Sequence, residues 1–561
     1  MRDSLSTGST SWLPDKGNME ECFDIAIVGS GVSCAYTLIH YVSLLEEQAP
    51  AKPVRVIVLE KSGEFWSGFP YGFRSGRYSL LITSLKEFLP QDAEREAFAK
   101  WLDRNRDWIF ERFMEGDGEF ATKWLRTHER AMSAGLWDDL FLPRYTFGVY
   151  LQNRLADLLK GAATKGILNC TLMAAEVVDV ERLKQLHRIH FVAPAAGAVQ
   201  ARKVIIGMGS TRNSVVERSW TDAAGRSECL IDDMYEPSME LNVRRIVDAL
   251  RQSQGRSKQV LIVGANASAL EALFWLNNSG DLNGLISKFC MFSMDAAFPH
   301  RISRETKKAI YSPMHLEELM NAGTRTAAQI LEAIRKDVAH ATAQGLNIAD
   351  LFDDISKGMM KALNQLGSAE QKRFVTQYGV EVGRLQRRAG AEYLDVVDTL
   401  SEEGRLELFK GRCVKCVALG DGDLGCEVAI GEGRTETVLA GPFGVVINAG
   451  FQDVTQSSSP LMRNLIRRGI CVPNESKRGF LINEKYETSE GCHLMGPLVA
   501  GNMVGKLWVW HAESCSRIID MSRQLAEVLI NFSPEKGSGA DRRRHEGAAV
   551  HVSSAAKNAG L

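Results

Sequence analysis

The chain has 561 residues, of which 45% are hydrophobic and 24% charged, a composition typical of a globular protein with several structural units. Lys and Arg number 67 and Asp and Glu number 69, so the formal net charge of -2 offers no field to hold nucleic acid or an anionic membrane. The apolar runs fall short of the roughly 20 residues that span a bilayer. We therefore expect small-molecule partners, with no nucleic-acid and no membrane partner.

The two ends of the chain, residues 1–20 and 533–561, are polar and lack apolar periodicity, so we expect both to be disordered tails. The 11 cysteines follow no regular framework, and no apolar leader segment opens the chain. Together these features predict a reducing, cytoplasmic compartment.

The first structured segment, FDIAIVGSGVSCAY at residues 23–36, has the pattern of a strand, a glycine turn and a helix. The periodicity predicts a strand over 23–28, a helix over about 31–47 and a strand over 54–60, which together form a βαβ unit. The turn matches the pattern GxGxxG, with Cys34 at the third small position.

This glycine turn predicts a dinucleotide site. Gly29 permits a sharp turn, and Gly31 lets backbone N–H groups approach a pyrophosphate at the N-terminus of the helix. Glu60 ends the next predicted strand, where a carboxylate can accept hydrogen bonds from a ribose diol. This context favours a bound nucleotide over the alternative of a purely structural glycine turn.

Further along the chain, helical patterns occupy much of residues 91–162 and about 303–400, and short strand patterns follow each of these stretches. A second strand, turn and helix begin at residue 259, and the turn is the sequence GANASA from Gly264. A closing helix is predicted near 507–530. The chain therefore contains two similar nucleotide-type units.

The second turn has Asn266 where the first has its central glycine. Asn can adopt positive φ and its amide can bond a phosphate, so we expect a second nucleotide site, with a structural turn as the alternative. The following strand pattern ends in Asp295, which suits a free 2′-hydroxyl and favours NADH over NADPH. Arg301 and Arg304 lie a few residues on and could reverse this preference.

Two such units in one chain are typical of flavoproteins that bind two dinucleotides. More closely, the chain resembles the bacterial FAD/NAD(P)-binding family related to the N-hydroxylating ornithine and lysine monooxygenases. The resemblance covers most of residues 23–530 and rests on blocks in a shared order, namely FDIAIVGSGVS, GFPYG, FLPRYTFGVYL, KVIIGMGS, the segment 369–412 and HLMGPLVAG. It implies an α/β fold with two Rossmann-like dinucleotide-binding domains and helical insertions, in which the FAD domain is discontinuous and the NAD(P) domain is inserted into it.

The resemblance also implies domain boundaries. Between the two tails, they are 21–212 for the first part of the FAD-binding domain with a helical insertion at 91–160, 213–439 for the NAD(P)-binding domain with a helical insertion at 303–400, and 440–532 for the second part of the FAD-binding domain.

The cofactors implied by the resemblance are FAD in the first unit and NADH or NADPH in the second. The implied FAD contacts are Gly29, Ser30, Gly31 and Ser33 at the pyrophosphate, Glu60 and Lys61 at the ribose, Val177 and Val178 beside the adenine, and Arg144, Gly209, Gly496 and Gly501 elsewhere around the cofactor. An aromatic loop with Trp66 and Tyr71 either stacks on the flavin ring or closes a seam between domains. The nicotinamide nucleotide would contact Gly264, Asn266 and Ser268, although the family's basic residues are changed in the stretches from Ser293 and from Arg384, so whether this second site functions stays open.

No catalytic residue is compelled by the sequence. The stretch WVWHAE, residues 508–513, is predicted to begin the last helix near the edge of the flavin. His511 could donate a proton, and Glu513 could neutralise an amine substrate. The alternative is a capping His and a solvated Glu beside core tryptophans.

The motif Cys413-Val414-Lys415-Cys416 lies in a strand-like context, where residues three apart point to opposite faces. We therefore predict two unrelated buried thiols and not a redox pair. Because no second CxxC or His pair is nearby, we also predict no metal site.

The resemblance implies an FAD-dependent, NAD(P)H-consuming monooxygenase that uses dioxygen and hydroxylates the nitrogen of a small amine or amino acid through a flavin hydroperoxide. One alternative is a flavin-dependent dehydrogenase or reductase with another electron acceptor, and a second is a flavin-binding sensor or interaction protein. Bleaching of the flavin by NAD(P)H separates the enzymes from the sensor. The substrate and the oligomeric state, a homo-oligomer included, stay open.

Overall fold

The computed structural model of the chain describes residues 21–115, 119–193, 195–210, 230–252, 255, 257–282, 284–303, 310–419, 423–430, 436–450, 453–505, 507–512 and 514–531. Both predicted tails lie outside these ranges, as do Arg304 and Glu513. Among the described helices, none is both long enough and apolar enough to cross a membrane.

Strands and helices alternate through the described chain. The strands are β1 (Cys22–Val28), β2 (Val54–Glu60), β3 (Leu168–Ala174), β4 (Glu176–Arg182), β5 (His187–Val192), β6 (Gly197–Ile206), β7 (Leu230–Ile231), β8 (Gln259–Val263), β9 (Lys288–Ser293), β10 (His300–Arg301), β11 (Arg388–Ala389), β12 (Leu406–Lys410), β13 (Arg412–Ala418), β14 (Leu424–Ile430), β15 (Glu436–Phe443), β16 (Val445–Asn448), β17 (Glu487–Ser489), β18 (Cys492–Leu494), β19 (Asn502–Val504) and β20 (Leu507–Val509). The α-helices are α1 (Val32–Gln48), α2 (Gly68–Tyr71), α3 (Leu85–Phe88), α4 (Asp92–Met114), α5 (Glu119–Ser133), α6 (Tyr145–Thr164), α7 (Met239–Gln252), α8 (Ala267–Asn278), α9 (Met314–Ala322), α10 (Ala327–Ala343), α11 (Phe352–Asn364), α12 (Ser368–Arg373), α13 (Gly379–Leu385), α14 (Ala391–Glu402), α15 (Pro460–Arg467) and α16 (Cys515–Ile530).

Within the described residues, the first sheet has eight strands around a parallel centre in the order β18, β6, β1, β2 and β3. β1 and β2 are almost entirely buried and nearly continuous in apolar residues, as expected of parallel strands that helices cover on both faces. Antiparallel pairs add β17 next to β18 and join β4 through β5 to β6. The predicted βαβ unit is present, and its second strand has the predicted bounds.

The second sheet, as far as the structure describes the chain, has five parallel strands in the order β12, β9, β8, β16 and β7. Its central strand β8 leads through the turn at Gly264 into α8. The antiparallel strands β13, β14 and β15 form a separate small sheet that follows β12 along the chain. The chain thus has the predicted α/β fold with two Rossmann-like units.

The chain returns to the first sheet later than residue 440, the predicted boundary between the NAD(P)-binding domain and the second part of the FAD-binding domain. The strand β16 pairs in parallel with both β8 and β7, so it belongs to the second sheet. The pairing of a strand with partners far away in sequence is decided by tertiary packing, which a local pattern does not encode. The chain re-enters the first sheet with β17 and β18.

The last helix begins at Cys515 and not near 507 as predicted. Leu507–Val509 form β20, which pairs with β19 in a hairpin. A short apolar run does not distinguish a strand from a helix by its periodicity, which explains this error.

The predicted helical insertion at 303–400 has an apolar core of its own, made largely by α9 to α13. This core includes Trp508 and Trp510 from the end of the chain, and the ring of Phe374 meets Trp510 edge to face at 5.9 Å between centroids. The insertion is therefore anchored on the hairpin of β19 and β20.

Two glycines of α6 allow a matched test of its packing. A Cβ atom on Gly148 would lie 2.0 Å from the carbonyl oxygen of Tyr71, whereas a Cβ on Gly161 would meet no atom of the described residues within 4 Å. We expect Gly148→Ala to lower the free energy of unfolding by about 3 kcal/mol, since backbone must move to make room. Gly161→Ala should raise it by up to about 1 kcal/mol, because Ala is the better helix former.

Denaturant unfolding followed by circular dichroism measures both effects on the same helix. Equal effects of the two substitutions would contradict the close contact between α6 and Tyr71.

Candidate functional site

A cleft of about 2340 Å³ opens where parallel strands of both sheets end. Its lining includes Val28 at the end of β1, Glu60 at the end of β2 and Ala449 just after β16. In open α/β sheets, ligands bind at the carboxyl ends of the strands, and this cleft has that position in both units at once.

The turn after β1 depends on a glycine. Gly29 has φ +86°, and a Cβ atom there would lie 2.8 Å from the carbonyl oxygen of Gly207, which follows β6. The N–H of Gly29 donates to the carbonyl of Leu59 at 2.8 Å. The turn is thereby held tightly between the ends of the two neighbouring strands.

Cys34, the third small residue of the motif, fits without loosening the helix. It is fully buried, and a Cβ atom on Gly207 would lie 2.5 Å from its Sγ. A glycine at the third position of the motif usually makes room for the strand to pack on the helix. Here Gly207, just after the facing strand β6, makes that room instead. Burial raises the pKa of Cys34 to about 12, so its thiol is neutral at physiological pH.

The N-terminus of α1 faces the cleft at a point where Gly31 and Gly68 leave open space. Gly31 caps the helix with extended backbone, and among the described residues a Cβ on it would meet only the Cα of Gly68, at 3.7 Å. The first turn of α1 carries no acidic residue, and the N–H groups of Val32 and Ser33 have no acceptor within the helix. This cradle fits a pyrophosphate, since the N–H groups and the helix dipole both favour an anion.

The carboxylate of Glu60 is held by two serines. Its Oε2 accepts from the N–H and the hydroxyl of Ser30 at 2.9 and 3.0 Å, and its Oε1 accepts from the N–H and the hydroxyl of Ser62 at 3.0 and 2.7 Å. Four bonds fill the usual capacity of a carboxylate. A ribose diol would replace the two serine hydroxyls, which can rotate away, and the role of Glu60 at the ribose stays a prediction.

The two valines predicted beside the adenine differ in position. Val177 is buried and lines the cleft, whereas Val178 does not. A bulge in β4 between Val177 and Asp179 shifts the register, and the carbonyl of Val178 accepts from the side chain of Asn464 at 2.8 Å. Of the predicted pair, only Val177 is positioned to touch a ligand in the cleft.

Arg144 joins the two units through a buried ion pair. Its Nη2 contacts the carboxylate of Glu271 on α8 and donates to the hydroxyl of Tyr235 at 3.2 Å. Tyr235 in turn donates to Glu271 at 2.7 Å. Burial alone would lower the pKa of Arg144, but the attraction of Glu271 outweighs it, so the pKa is raised and the guanidinium stays charged.

One polar atom of this network remains for a ligand. Arg144 lines the cleft, and its Nε is buried with no hydrogen-bond partner in the described part of the chain. A buried donor without an acceptor is costly, so this atom is consistent with a cofactor that brings an acceptor into the cleft.

The second turn differs from the prediction for Asn266. The positive φ of the turn, +117°, belongs to Gly264, while Asn266 caps α8 with φ -99°. The Oδ1 of Asn266 accepts from the guanidinium of Arg387, which comes from the end of the helical insertion. This places a cation beside the N-terminus of α8, where it would favour a phosphate.

The residues expected to decide between NADH and NADPH lie apart from this turn. Asp295 accepts from the hydroxyl of Ser293 at 3.0 Å, and Arg301 is paired with Asp395 and Asp398. Neither Asp295 nor Arg301 is among the residues that line the cleft. The preference for NADH stays a prediction.

Most of the predicted site residues line the cleft, and the others do not. Lining it are Gly29, Ser30, Gly31, Ser33, Glu60, Lys61, Tyr71, Arg144, Val177, Gly209, Asn266, Ser268 and His511. Outside the lining are Trp66, Val178, Gly264, Gly496 and Gly501. Trp66 is buried and its backbone N–H donates to the hydroxyl of Ser30 at 3.3 Å, so it supports the turn and lies outside the lining of the cleft.

Gly496 and Gly501, which the resemblance places around the FAD, lie after β18 and outside the lining of the cleft. Gly496 opens a 3₁₀ turn, and a Cβ there would lie 3.4 Å from the hydroxyl of Ser33, so this turn packs on the start of α1. Gly501 lies against Asn474 and Ser476. His511 lies in the connection before α16, and its carbonyl accepts from Arg517 at 2.6 Å.

Sequence reasoning missed several groups at the cleft. Glu271 was detectable as the one charged residue in the helix sequence ASALEALFWLNN. Gln386 is 5% exposed and lines the cleft, and its Nε2 has no partner among the described residues. The same is true of the indole N–H groups of Trp508 and Trp510, each 7% exposed. No sequence pattern indicates such unpaired donors, because tertiary packing decides whether a hydrogen-bond acceptor lies near each of them.

The cradle at Gly31 gives a direct test. We expect Gly31→Val to lose bound flavin and its yellow colour, because the side chain would occupy the place of the pyrophosphate while the protein itself has room for a Cβ atom. Gly367→Val is the matched control, since Gly367 also caps a helix with extended backbone and its Cβ position has no atom of the part of the chain that the structure describes within 4 Å.

Flavin absorbance per chain, with circular dichroism as the check on folding, measures the outcome. A folded Gly31→Val protein that keeps its full flavin content would show that the cradle is not the binding site.

The sequence comparisons agree with this geometry. A family described as FAD-NAD(P)-binding matches residues 26–211, which include the turn at Gly29 and the strand β6. The chain is 30% identical over 513 residues to Uncharacterized protein Rv3403c of Mycobacterium tuberculosis and to Uncharacterized protein Mb3437c of Mycobacterium bovis. Each match covers 91% of this chain and 95% of the relative. The prediction of an FAD- and NAD(P)-binding flavoprotein is confirmed.

The comparison with solved structures concerns the fold. The reduced form of an ornithine hydroxylase (PvdA) from Pseudomonas aeruginosa is similar with a TM-score of 0.51 and 13% identity, covering 91% of this chain and 99% of that chain. The predicted relation to the N-hydroxylating flavin monooxygenases is thereby confirmed for the fold. The chain therefore belongs to the family of these mycobacterial proteins and carries an FAD-NAD(P)-binding domain within a two-nucleotide flavoprotein fold.

Proposed function

We propose that the protein is an NAD(P)H-dependent flavin monooxygenase that hydroxylates the nitrogen of a small amino acid or amine. The observation that carries the proposal is that the turns of both nucleotide units, at Gly31 and at Asn266, line one cleft. Hydride transfer needs the nicotinamide ring to lie against the flavin ring. Two nucleotide-binding turns on one cleft support that arrangement. The similar ornithine hydroxylase supports the choice of an amino acid as the first substrate to test.

The residues around the cleft would bind and orient the cofactors. FAD, when bound, supplies a ring that accepts hydride and activates dioxygen. The N-terminus of α1 and the glycines at 29, 31 and 68 would hold its pyrophosphate, and Arg144 would offer its unpaired Nε. Asn266 and Arg387 would hold the phosphates of the nicotinamide nucleotide.

The substrate would lie beside the helical insertion. Gln386, Trp508 and Trp510 line this part of the cleft, and each has a buried N–H donor that finds no acceptor among the described residues. A substrate carboxylate would supply the acceptors, and the apolar surroundings would exclude water from the reacting centre. This set of donors favours an amino acid over a simple amine.

Reduction of the flavin tests the nucleotide sites. In stopped-flow mixing of the oxidised holoprotein with NADH or with NADPH, we expect rapid loss of flavin absorbance. Asn266→Leu should slow this step at least about tenfold while the colour stays. The variant loses the hydrogen bond from the Asn266 amide to a phosphate and the acceptor that holds the guanidinium of Arg387 in place. Asn278→Leu at the other end of α8 is the control and should leave the rate unchanged.

Each alternative function predicts a different result. Reduction by NAD(P)H without any hydroxylated product, but with turnover on an added electron acceptor, would favour a reductase. A flavin that neither nucleotide bleaches would favour the sensor and would contradict the proposed function.

The donor at Gln386 tests the substrate. With L-ornithine as the first probe and a set of other amino acids and alkyl amines beside it, we expect a hydroxylated product by mass spectrometry. Gln386→Leu should raise the KM of the active amino acid about 10- to 100-fold, as expected when a hydrogen bond to a charged group is lost. The rate of flavin reduction without substrate should not change.

Gln377→Leu is the control, because Gln377 lies exposed in the preceding helical segment. An unchanged KM in Gln386→Leu, or equal activity on alkyl amines without a carboxylate, would contradict this placement of the substrate.

A further inference from the structure

Three cysteines lie together in the small sheet of β13, β14 and β15. Cys413 and Cys416 are on β13, and Cys426 is on β14. Their Sγ atoms all lie within 4.8 Å of one another, and those of Cys413 and Cys426 are 2.7 Å apart. Among the described His, Cys, Asp and Glu residues, this is the one group of three or more with ligand atoms placed for a metal ion.

The prediction that Cys413 and Cys416 point to opposite faces is wrong, and the cause is a β-bulge. Cys413 pairs with Val428 and Lys415 pairs with the next residue, Glu427, so Val414 is the extra residue on β13. The bulge inserts one residue into the alternation of side chains along β13. Two positions that are three apart therefore point to the same face of the sheet. Cys416 pairs directly with Cys426 across the ladder, which completes the group.

The surroundings distinguish this group from scattered core thiols. Cys416 and Cys426 are 4% and 0% exposed, whereas Cys413 is partly exposed. The group is therefore covered at Cys416 and Cys426 and more open at Cys413, so an ion would enter from the side of Cys413.

We propose that these three cysteines bind a thiophilic d¹⁰ metal ion, Zn²⁺ or Cu⁺. Thiolates select these ions, and a ligand set of three sulfurs suits three-coordinate Cu⁺, or Zn²⁺ with a solvent molecule as fourth ligand on the side of Cys413. Binding would release the thiol protons and cross-link β13 to β14. None of the three cysteines lines the cleft, so the site is separate from the proposed flavin chemistry.

Metal analysis of the holoprotein tests this site. The full chain is purified with its FAD under reducing conditions, supplied with Zn²⁺ or with Cu⁺, and desalted, and metal per chain is measured by mass spectrometry. We expect about one equivalent of one of these ions in the wild type. Cys416→Ser and Cys426→Ser should each lose at least nine-tenths of it.

Cys170→Ser is the control, because Cys170 is a partly exposed cysteine on β3 of the first sheet, and it should keep the metal. FAD content should be the same in all four proteins, which separates loss of the site from loss of folding. A titration of the wild type with Cd²⁺ needs no variant and should produce thiolate-to-metal absorption that saturates at one equivalent.

Occupancy by either Zn²⁺ or Cu⁺ supports the proposal, and the two arms of the experiment tell which ion is preferred. Metal content that is no higher in the wild type than in Cys416→Ser would overturn it. So would a disulfide between two of the three cysteines in the native protein, detected as a mass lower by two hydrogens, or a Cd²⁺ titration without thiolate absorption.

Discussion

The arrangement of the cleft depends on the absence of a side chain at position 29. Gly29 has a backbone conformation that other residues rarely adopt, and it is pressed against the carbonyl of Gly207 at the end of the neighbouring strand. Gly264 repeats the same construction in the second unit, where its Cβ position lies 3.3 Å from the carbonyl of Ala449. Each glycine directs the N-terminus of the following helix at the cleft, so the two units present positive helix ends to a shared space.

Buried polar contacts then fix how the two units meet. The ion pair of Arg144 and Glu271 connects the start of α6 to α8, and the indole of Trp275 donates to the hydroxyl of Ser79 at 2.8 Å beside it. A buried ion pair contributes little net stability, because desolvation offsets most of the attraction, but it strongly disfavours any arrangement that separates its partners. We interpret this network as a device that sets the geometry of the cleft.

The sequence predicts well what local chemistry decides. The glycine turn and the strand Val54–Glu60 follow from residue type and periodicity, and the structure has both. The sheet to which β16 belongs, the hairpin of β19 and β20, and the bulge at Val414 depend on partners far away in the chain, and the local patterns predicted none of them. Likewise, Asn266 has the predicted place at a helix start, but its amide is held by Arg387 from the helical insertion, which no spacing rule reveals.

The central claim is that one cleft binds FAD at the first turn together with a nicotinamide nucleotide at the second. The most direct measurement is native mass spectrometry of the full chain, purified without added nucleotide and then mixed with NADPH or NADH. We predict one FAD per chain and a further mass of one nicotinamide nucleotide on the same molecule. A chain that carries no flavin and takes up none when FAD is added, or one whose nicotinamide nucleotide binds only after FAD is removed, would contradict this claim.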